Sequence, residues 1–423
     1  MFALSVLTRL RDAGYCAYWA GGCVRDLLLR ITPHDYDVAT DASPDHVRKL
    51  FRRTIAVGAQ FGVIEILGQE PGIHVQVATF RSDGHYSDGR HPDSVRYGTP
   101  EEDAKRRDFT INGLFFDPTR DEVIDFVGGQ LDLNRKLVRA IGDPVQRFEE
   151  DKLRMLRAVR FVSRLGFALE EQTADAIKLM HPDLKQVSAE RITDELKKML
   201  LYPARQIALN YLMKLRLLPT LLPTLVDIEQ AEETFPGVLV SQLPGESSFP
   251  LCWAAVLLDL QRAFRAEMQI THQELFGTFG REFRLSQAEI AQVDFLIRSL
   301  EKMHHAASMP WAELKPILAH ADVADLLSLV EADVKGRGIS TQGLDYCREH
   351  LRHWTREQLQ PAPLVTGEDL IQLGVTKGPR FKVLLDAVRD AQLNEEINNR
   401  QDALSLLEKL AKRVNSSDDV SPI

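Results

Sequence analysis

The chain has 423 residues and a formal net charge of −9, with 44% hydrophobic and 27% charged residues. This length favours two to four domains with sizeable cores, and no apolar run approaches the ~18 residues that a membrane-spanning helix needs. The four cysteines show neither CxxC pairing nor metal-ligand spacing, which is typical of reduced, buried thiols. We therefore expect a cytoplasmic protein that does not contact membranes.

The predicted elements change character near residue 142. Before it, helix and strand patterns alternate: a helix that closes near residue 15, then CAYWAGG (strand), VRDLLLR (helix), DYDVAT (strand), β-rich runs over 54–68 and 73–81, the polar loop SDGHYSDGRHPDSVRYG (82–98), and more strand in FTINGLFFDPTRDEVIDFVGG. From 145 to about 218 the pattern predicts successive amphipathic helices. A Pro-rich, acidic connection follows over 219–250, and helices resume from 251.

Two glycines and two aspartates in GGCVRDLLLRITPHDYDVAT (21–40) suggest a phosphate site beside a metal site. Gly21-Gly22, between a strand and a helix, lets backbone N–H groups approach an anion, and Arg25 can reach the same anion. Asp35 and Asp37 stand two apart on a predicted strand, so their carboxylates should project from one face. Such hard oxygen ligands suit Mg²⁺. Either pair alone would be ordinary turn chemistry, but the combination favours a triphosphate held over metal-binding carboxylates.

A base-reading pair is predicted in EEDKLRMLRAVRF (149–161). On a continuous helix Asp151 and Arg154 would be i, i+3 neighbours, on one face with Arg157 and Arg160. A carboxylate accepts and a guanidinium donates hydrogen bonds, so the pair complements an exocyclic amine beside a bare ring nitrogen. Cytosine and adenine share that edge, whereas guanine and uracil reverse it. The alternative is a plain helix-surface ion pair.

Three motifs together resemble one family. GGCVRDLLL…DYDVAT, RRDFTINGL (106–114) and EEDKLRMLRAVRF match in order and spacing the bacterial class II tRNA nucleotidyltransferases and their poly(A) polymerase relatives. The likeness covers residues 1 to about 200 and extends weakly to VTGEDLIQLGVTKGPRFKVLLDAV (365–388). It implies an α+β fold, with a polymerase-β-like nucleotidyltransferase head and an all-helical neck, body and tail. The implied boundaries are a catalytic head (1–142), a base-recognising neck (143–218), a body (219–360), a tRNA-binding tail (361–412) and a disordered end (413–423).

The same resemblance implies roles for individual residues. Asp35 and Asp37 would be catalytic and hold Mg²⁺. The nucleotide-binding residues would be Gly22, Arg25, Arg107, Asp108, Asn112, Asp151, Arg154, Arg157 and Arg160. Gln76 stands where many relatives carry Glu, and Gly113 where they usually carry Ala. In SAERITDELKKML (188–200), Arg191 and Glu195 would form an i, i+4 pair that supports the base-reading helix or is an ordinary surface pair.

The implied function is template-independent addition of CCA to tRNA 3′ ends from CTP and ATP, with release of pyrophosphate. The 82–98 loop argues against a CC-only enzyme, but an A-adding-only enzyme, a poly(A) polymerase and a catalytically silent RNA-binding protein remain alternatives. The helical half of the sequence contains no His-Asp pair of the phosphohydrolase type, so an added hydrolase activity is not predicted. The basic segment 147–164 and the tail around Lys377, Arg380 and Lys382 are candidate RNA contacts. Oligomeric state is left open.

Overall fold

A seven-stranded sheet organises the first part of the chain. The structure is a computed structural model, and it describes residues 2–58, 62–84, 95–222, 234–263, 280 and 282–416. The contacts within the chain separate two units, one formed by Met1–Phe235 with Ala266–Arg284 and the other by Pro236–Arg265 with Leu285–Ile423.

The first unit begins with mixed α and β structure. Its elements are α1 (Phe2–Asp12), β1 (Ala17–Ala20), α2 (Gly22–Leu28), β2 (Asp37–Thr40), α3 (Pro44–Leu50), β3 (Thr54–Gly58), β4 (Val63–Leu67), β5 (His74–Thr79), β6 (Arg81–Asp83), β7 (Val95–Tyr97), α4 (Pro100–Lys105), β8 (Leu114–Asp117), β9 (Glu122–Asp125), α5 (Gly129–Asn134) and β10 (Leu137–Val138). The main sheet has the order β3-β4-β5-β2-β1-β8-β9. Within it β2 and β5 run parallel, and the other pairs are antiparallel.

Alternation of apolar residues along the strands explains why one face of the sheet is buried. In β4 every second side chain is buried, including Ile64 and Ile66, because successive side chains of a strand point to opposite faces. Val75 and Val77 of β5 and Val38 of β2 are buried as well. The opposite face of this part of the sheet carries Glu65 of β4, Gln76 of β5 and Asp37 of β2.

Most strand predictions in this region are confirmed, with two differences. Residues Thr110–Asn112 form a short 3-10 helix instead of a strand, and β8 starts only at Leu114. The predicted polar loop 82–98 starts and ends in the antiparallel pair of β6 and β7. Its residues 85–94 lie outside the described residues.

Helices complete the first unit, as their apolar periodicity predicted. They are α6 (Pro144–Glu150), α7 (Arg154–Leu165), α8 (Glu171–Met180), α9 (Ala189–Leu200), α10 (Arg205–Lys214) and α11 (Leu217–Leu221). The short strand β11 (Ala168–Leu169) pairs with β10. In α7 the residues Met155, Val159 and Val162 are buried, which confirms the predicted apolar face. Gly166 ends this helix with a φ of 65°, a conformation that favours glycine.

The second unit is helical throughout its described residues. After a 3-10 turn at Val240–Gln242 come α12 (Phe249–Ala263), α13 (Gln287–His304), α14 (Trp311–Leu318), α15 (Val323–Arg337), α16 (Gln342–His353), α17 (Arg356–Leu359), α18 (Gly367–Gln372), α19 (Pro379–Leu393) and α20 (Arg400–Ser416). Helix α12 is buried almost all round. Leu370, Leu384, Val388 and Leu407 form the core of the last three helices.

The predicted domains can be placed on these two units. The head (1–142) and neck (143–218) fall within the first unit and the tail (361–412) within the second, whereas the body (219–360) contributes to both. Helix α20 continues to Ser416, so its last turn overlaps the predicted disordered end. Residues 417–423 lie outside the described residues. Among the described residues, no helix is both long and apolar enough to span a bilayer.

Candidate active site

The two glycines make the turn from β1 into α2. Gly21 has a φ of 73°, and a Cβ there would lie 2.7 Å from Nη1 of Arg107. Glycine is thus required both by the backbone conformation and by the approach of a guanidinium. Arg25, one turn into α2, is 4% exposed. Its Nη1 donates to Oδ1 of Asn112 at 2.6 Å and its Nε to Oδ1 of Asp26 at 2.8 Å.

The paired carboxylates differ from the prediction in their backbone setting. Strand β2 begins at Asp37, so Asp35 lies in the segment before the strand and strand alternation does not place the two carboxylates on one face. They remain close enough to interact, because burial raises the pKa of Asp37, Arg107 lowers it, and the charge of Asp35 raises it again. Gln76 of β5, which stands where many relatives carry Glu, is the register partner of Asp37 and lies on the same face of the sheet.

A buried carboxylate that the sequence analysis did not single out holds both arginines of the RRD motif. Asp103 of α4 is 1% exposed. Its Oδ1 accepts from Nε and Nη2 of Arg106 at 2.9 and 2.6 Å, and its Oδ2 accepts from Nε and Nη2 of Arg107 at 3.2 and 2.9 Å. Burial would raise the pKa of Asp103, but the two guanidiniums outweigh it and hold the pKa below its ordinary value. Asp103 precedes them by three and four residues, the helical spacing that could have revealed it.

Asp108 joins the RRDFTIN segment to helix α7. Its Oδ2 accepts from Nε and Nη2 of Arg157 at 2.9 and 2.6 Å. Its Oδ1 accepts from Nδ2 of Asn112 at 3.0 Å and from the Phe109 N–H at 2.8 Å. Burial would raise the pKa of Asp108, yet Arg157 and Asn112 keep it well below its ordinary range. Asp108 therefore contacts two other predicted nucleotide-binding residues, Asn112 and Arg157, directly.

The predicted i, i+3 geometry of Asp151 and Arg154 is wrong. Helix α6 ends at Glu150 and α7 starts at Arg154, and Asp151 between them is extended, with φ −150° and ψ 102°. Arg154 donates through Nη1 to Oε2 of Glu150 at 2.6 Å. Asp151 instead accepts through Oδ2 from Nη2 of Arg191 at 2.8 Å. Each member of the pair thus has its own counter-charge, and neither is the other's salt-bridge partner.

The predicted i, i+4 pair of Arg191 and Glu195 on α9 is also wrong. Arg191 contacts Asp151, while Glu195, 2% exposed, accepts through Oε2 from Nε of Arg160 on α7 at 2.6 Å. Both α9 side chains therefore contact residues of the 149–161 motif. This arrangement agrees with the supporting role that was one of the two interpretations of the motif at 188–200.

These side chains line one cleft of about 550 Å³. All nine predicted nucleotide-binding residues and Asp37 are among its lining residues, whereas Asp35 is not. The others are Gly21, Arg106, Leu153, Phe161, Arg164 and Arg191. Of these, Phe161 and Arg164 were missed as site residues although they follow Arg157 at helical spacing. The cleft combines a carboxylate end at Asp37 with a strongly basic wall on α7.

Comparison with known families and chains gives a consistent result. Residues 17–139 match the poly(A) polymerase head domain, and residues 166–228 match the probable RNA and SrmB-binding site of polymerase A. The chain is 32% identical over 408 residues to the CCA-adding enzyme of Lactobacillus helveticus, covering 95% of each chain. It is 35% identical over 384 residues to the CCA-adding enzyme of Bacillus subtilis, covering 88% of each.

Solved structures show the same likeness. The Bacillus stearothermophilus CCA-adding enzyme in complex with CTP is 31% identical, with a TM-score of 0.74 over 98% of both chains. The Thermotoga maritima CCA-adding enzyme complexed with tRNA is 20% identical, with a TM-score of 0.60 over 98% of this chain and 95% of that one. The second likeness concerns the fold alone.

Proposed function

This chain belongs to the family of CCA-adding enzymes, and on that premise we propose that it completes tRNA 3′ ends by adding C, C and A from CTP and ATP without a nucleic-acid template. The observation that carries the proposal is the single cleft in which Asp37, the arginines of α7 and the pair Asp151 and Arg154 meet. The tRNA 3′-hydroxyl attacks the α-phosphate of the bound nucleotide, and pyrophosphate leaves.

The cleft supports this reaction by position and charge. Arg25 and Arg107 lie beside the Gly21-Gly22 turn, where they are placed to bind the triphosphate with Gly22. Nucleotidyl transfer builds negative charge on the phosphate oxygens, and guanidiniums that are already fixed in position stabilise that charge. The arginines therefore serve both nucleotide affinity and the transfer step.

Base selection is assigned to Asp151 and Arg154, as the sequence predicted, although by a different geometry. Because Asp151 lies in the break between α6 and α7, its carboxylate is oriented by Arg191 and not by helix spacing. Arg154 is oriented by Glu150. A carboxylate acceptor and a guanidinium donor fixed in this way suit cytosine and adenine and disfavour guanine and uracil. Asp108, Asn112, Arg157 and Arg160 complete the nucleotide site.

We assign Mg²⁺ to Asp35 and Asp37. Two carboxylates, with Gln76 as the register partner of Asp37, offer hard oxygen ligands. Such ligands fit Mg²⁺, because this ion binds through one or two carboxylates and substrate phosphates. A bound divalent ion would activate the attacking hydroxyl and neutralise the leaving pyrophosphate. The protein's own part is to keep Asp37 ionised and in position, and the charge of Arg107 assists by lowering its pKa.

Substitution of Asp35 tests this assignment. Asp35→Ala should abolish nearly all Mg²⁺-dependent transfer, because one of two charged ligands is lost. Asp45→Ala is the matched control, since Asp45 is an exposed carboxylate on α3 that does not line the cleft. Near-full transfer by Asp35→Ala would contradict the metal role of Asp35.

We further infer that residues 1–142 act as the catalytic head, 143–218 as the base-recognising neck, 219–360 as the body and 361–412 as a tail that binds tRNA in the cytoplasm. An acidic chain that binds RNA must gather its cations locally, and tRNA is bound largely through shape and phosphates. Its affinity for tRNA should fall steeply as salt rises. A flat salt response would argue against phosphate contacts by 147–164 and by Lys377, Arg380 and Lys382.

One assay separates the proposed function from its alternatives. Purified protein and Mg²⁺ are incubated with three tRNA transcripts that end before CCA, after C and after CC, each with CTP, ATP or both. Products are sized to one nucleotide. Completion of CCA from the bare end supports the proposal. Extension of the CC end alone by one A would indicate an A-adding enzyme. A long A tract would indicate a poly(A) polymerase. Nucleotide binding without extension would indicate a catalytically silent RNA-binding protein.

A further inference from the structure

One aromatic ring lies among three arginines of the cleft. The Cζ atoms of Arg25, Arg157 and Arg160 are 5.3, 5.6 and 4.4 Å from the ring centroid of Phe161. All three distances lie within the ~6 Å range of attraction between a cation and an aromatic ring. Phe161 is 4% exposed, yet it lines the cleft. Its ring also packs edge to face on the fully buried Phe109, with centroids 5.7 Å apart.

The three arginines have no carboxylate in common among their described salt bridges. Arg25 pairs with Asp26 on α2, Arg157 with Asp108 of the RRDFTIN segment, and Arg160 with Glu195 on α9. Each carboxylate therefore fixes one guanidinium relative to the segment that carries the carboxylate. Arg25 and Arg157 are also linked through Asn112 and Asp108, but this chain of hydrogen bonds does not include Arg160. The ring of Phe161 is the described contact that all three guanidiniums share.

We propose that Phe161 is a positioning residue that holds Arg25, Arg157 and Arg160 as one array for the nucleotide. This inference rests on the proposed function, because it assigns that array to CTP and ATP. Phe161 acts through the arginines and need not touch the nucleotide itself. The negative face of the ring attracts guanidiniums that would otherwise repel one another, and the attraction strengthens where water is excluded.

The positioning role predicts how the affinities for CTP and ATP change when the ring is removed. Since the array serves the part of the nucleotide that CTP and ATP share, loss of the ring must weaken both nucleotides by a similar factor. A base-contacting ring would instead affect one nucleotide more than the other. A merely structural ring would change the unfolding temperature and leave the affinity of the folded protein unchanged.

Isothermal titration calorimetry of the full chain with CTP and with ATP tests whether both affinities fall by a similar factor. Phe161→Leu removes the aromatic face and should raise the Kd of both nucleotides roughly tenfold, the effect of about one well-placed cation–π contact. Phe161→Tyr keeps the ring and should restore affinity to near that of the parent chain. Val162→Ala is the control: it removes buried volume from the next position of α7 and should lower the unfolding temperature without changing Kd.

Circular dichroism ensures that only folded variants are compared. If Phe161→Leu does not fold, Phe161→Met takes its place, because methionine fills the space without a ring. An unchanged Kd in the ring-less variant, a change confined to one nucleotide, or equal weakening by Phe161→Tyr would each overturn the positioning role. Failure of the parent chain to bind either nucleotide would instead refute the proposed function. The two failures are thus distinguishable.

Discussion

Asp37 of β2 and Gln76 of β5 are direct register partners across the parallel strand pair. Gln76 is in turn the register partner of Glu65 on β4. Register partners of adjacent strands lie on the same face of a sheet, so the three side chains form a row in which a neutral amide separates two carboxylates. Adjacent strands are about 4.8 Å apart, which leaves Gln76 beside Asp37 and Glu65 one strand further away.

Gln76→Glu should reduce the Mg²⁺ concentration needed for half-maximal nucleotide addition by severalfold. The substitution adds a charged oxygen ligand next to Asp37, and hard cations bind more tightly as the ligand charge increases. The measurement is a Mg²⁺ titration of A addition to a CC-ended tRNA.

Gln69→Glu is the control for this titration, because it adds the same charge at an exposed position outside the row. An unchanged or higher Mg²⁺ requirement in Gln76→Glu would show that this position does not contribute to the metal site.

Asp103→Asn should raise the KM for CTP and ATP by about ten- to a hundredfold. The substitution removes the charge that orients Arg106 and Arg107, and hydrogen bonds between charged groups contribute about 1.5–3 kcal/mol. Steady-state kinetics on C-ended and CC-ended transcripts measure the change.

Asp117→Asn provides a comparison, since Asp117 is 3% exposed and also pairs with an arginine, Arg11, but does not line the cleft. We expect it to lower the stability and leave the KM unchanged. Equal KM changes in both variants would indicate a general loss of folding in place of a specific loss of arginine orientation.

Arg191→Met should weaken discrimination against UTP and GTP roughly tenfold, because Asp151 loses the charged hydrogen bond that orients its carboxylate. Competition assays with mixed nucleotides on C-ended tRNA measure it. Glu190→Gln alters an exposed residue of the same helix that pairs with Arg284 and should discriminate like the parent chain. Unaltered discrimination in Arg191→Met would mean that Asp151 is held by its backbone alone.

The second unit should become more stable as the pH falls from 7 to 5. Burial raises the pKa of Asp259 to about 6, against the hydrogen bonds from the Leu239 and Val240 N–H groups. Since the folded pKa is the higher one, the contribution of the protonated group is fully present below about pH 4 and is lost as the pH rises through 6. This contribution is at most about 3 kcal/mol.

Asp259→Asn isolates the effect, because the amide does not titrate. Urea unfolding followed by tryptophan fluorescence reports mainly on this unit, which contains Trp253, Trp311 and Trp354, three of the four tryptophans. The difference in the free energy of unfolding between the two proteins should change between pH 5 and 7. A difference that is constant with pH would contradict the raised pKa of Asp259.

Local pattern predicted the parts of the site that depend on neighbours in sequence. The Gly21-Gly22 turn, the apolar face of α7 and the strand at Asp37 follow from rules that reach a few residues. The break at Asp151 was missed although it has a local component, because the Asp151 carboxylate accepts from the Leu153 N–H at 3.1 Å. Its ion pair with Arg191, forty positions later, could not be read from local pattern. Helical spacing alone gives an unbroken helix there.

Partners distant in sequence explain the remaining differences. Asp108 with Arg157 and Arg160 with Glu195 are joined across 49 and 35 positions, and no periodicity specifies such pairs. Asp103 and Phe161, by contrast, stand at helical spacing from arginines already recognised. Their roles were predictable in principle, and only their depth of burial required the structure.

The carboxylates that accompany the arginines of the cleft also constrain how base choice can be redesigned. Among the described salt bridges, Asp26 pairs with Arg25 alone and Asp108 with Arg157 alone, so changing either arginine leaves a carboxylate without its cation. That leftover charge costs more than the intended contact gains. New nucleotide preferences should therefore arise through paired substitutions, and homologous sequences should change at both positions of a pair together.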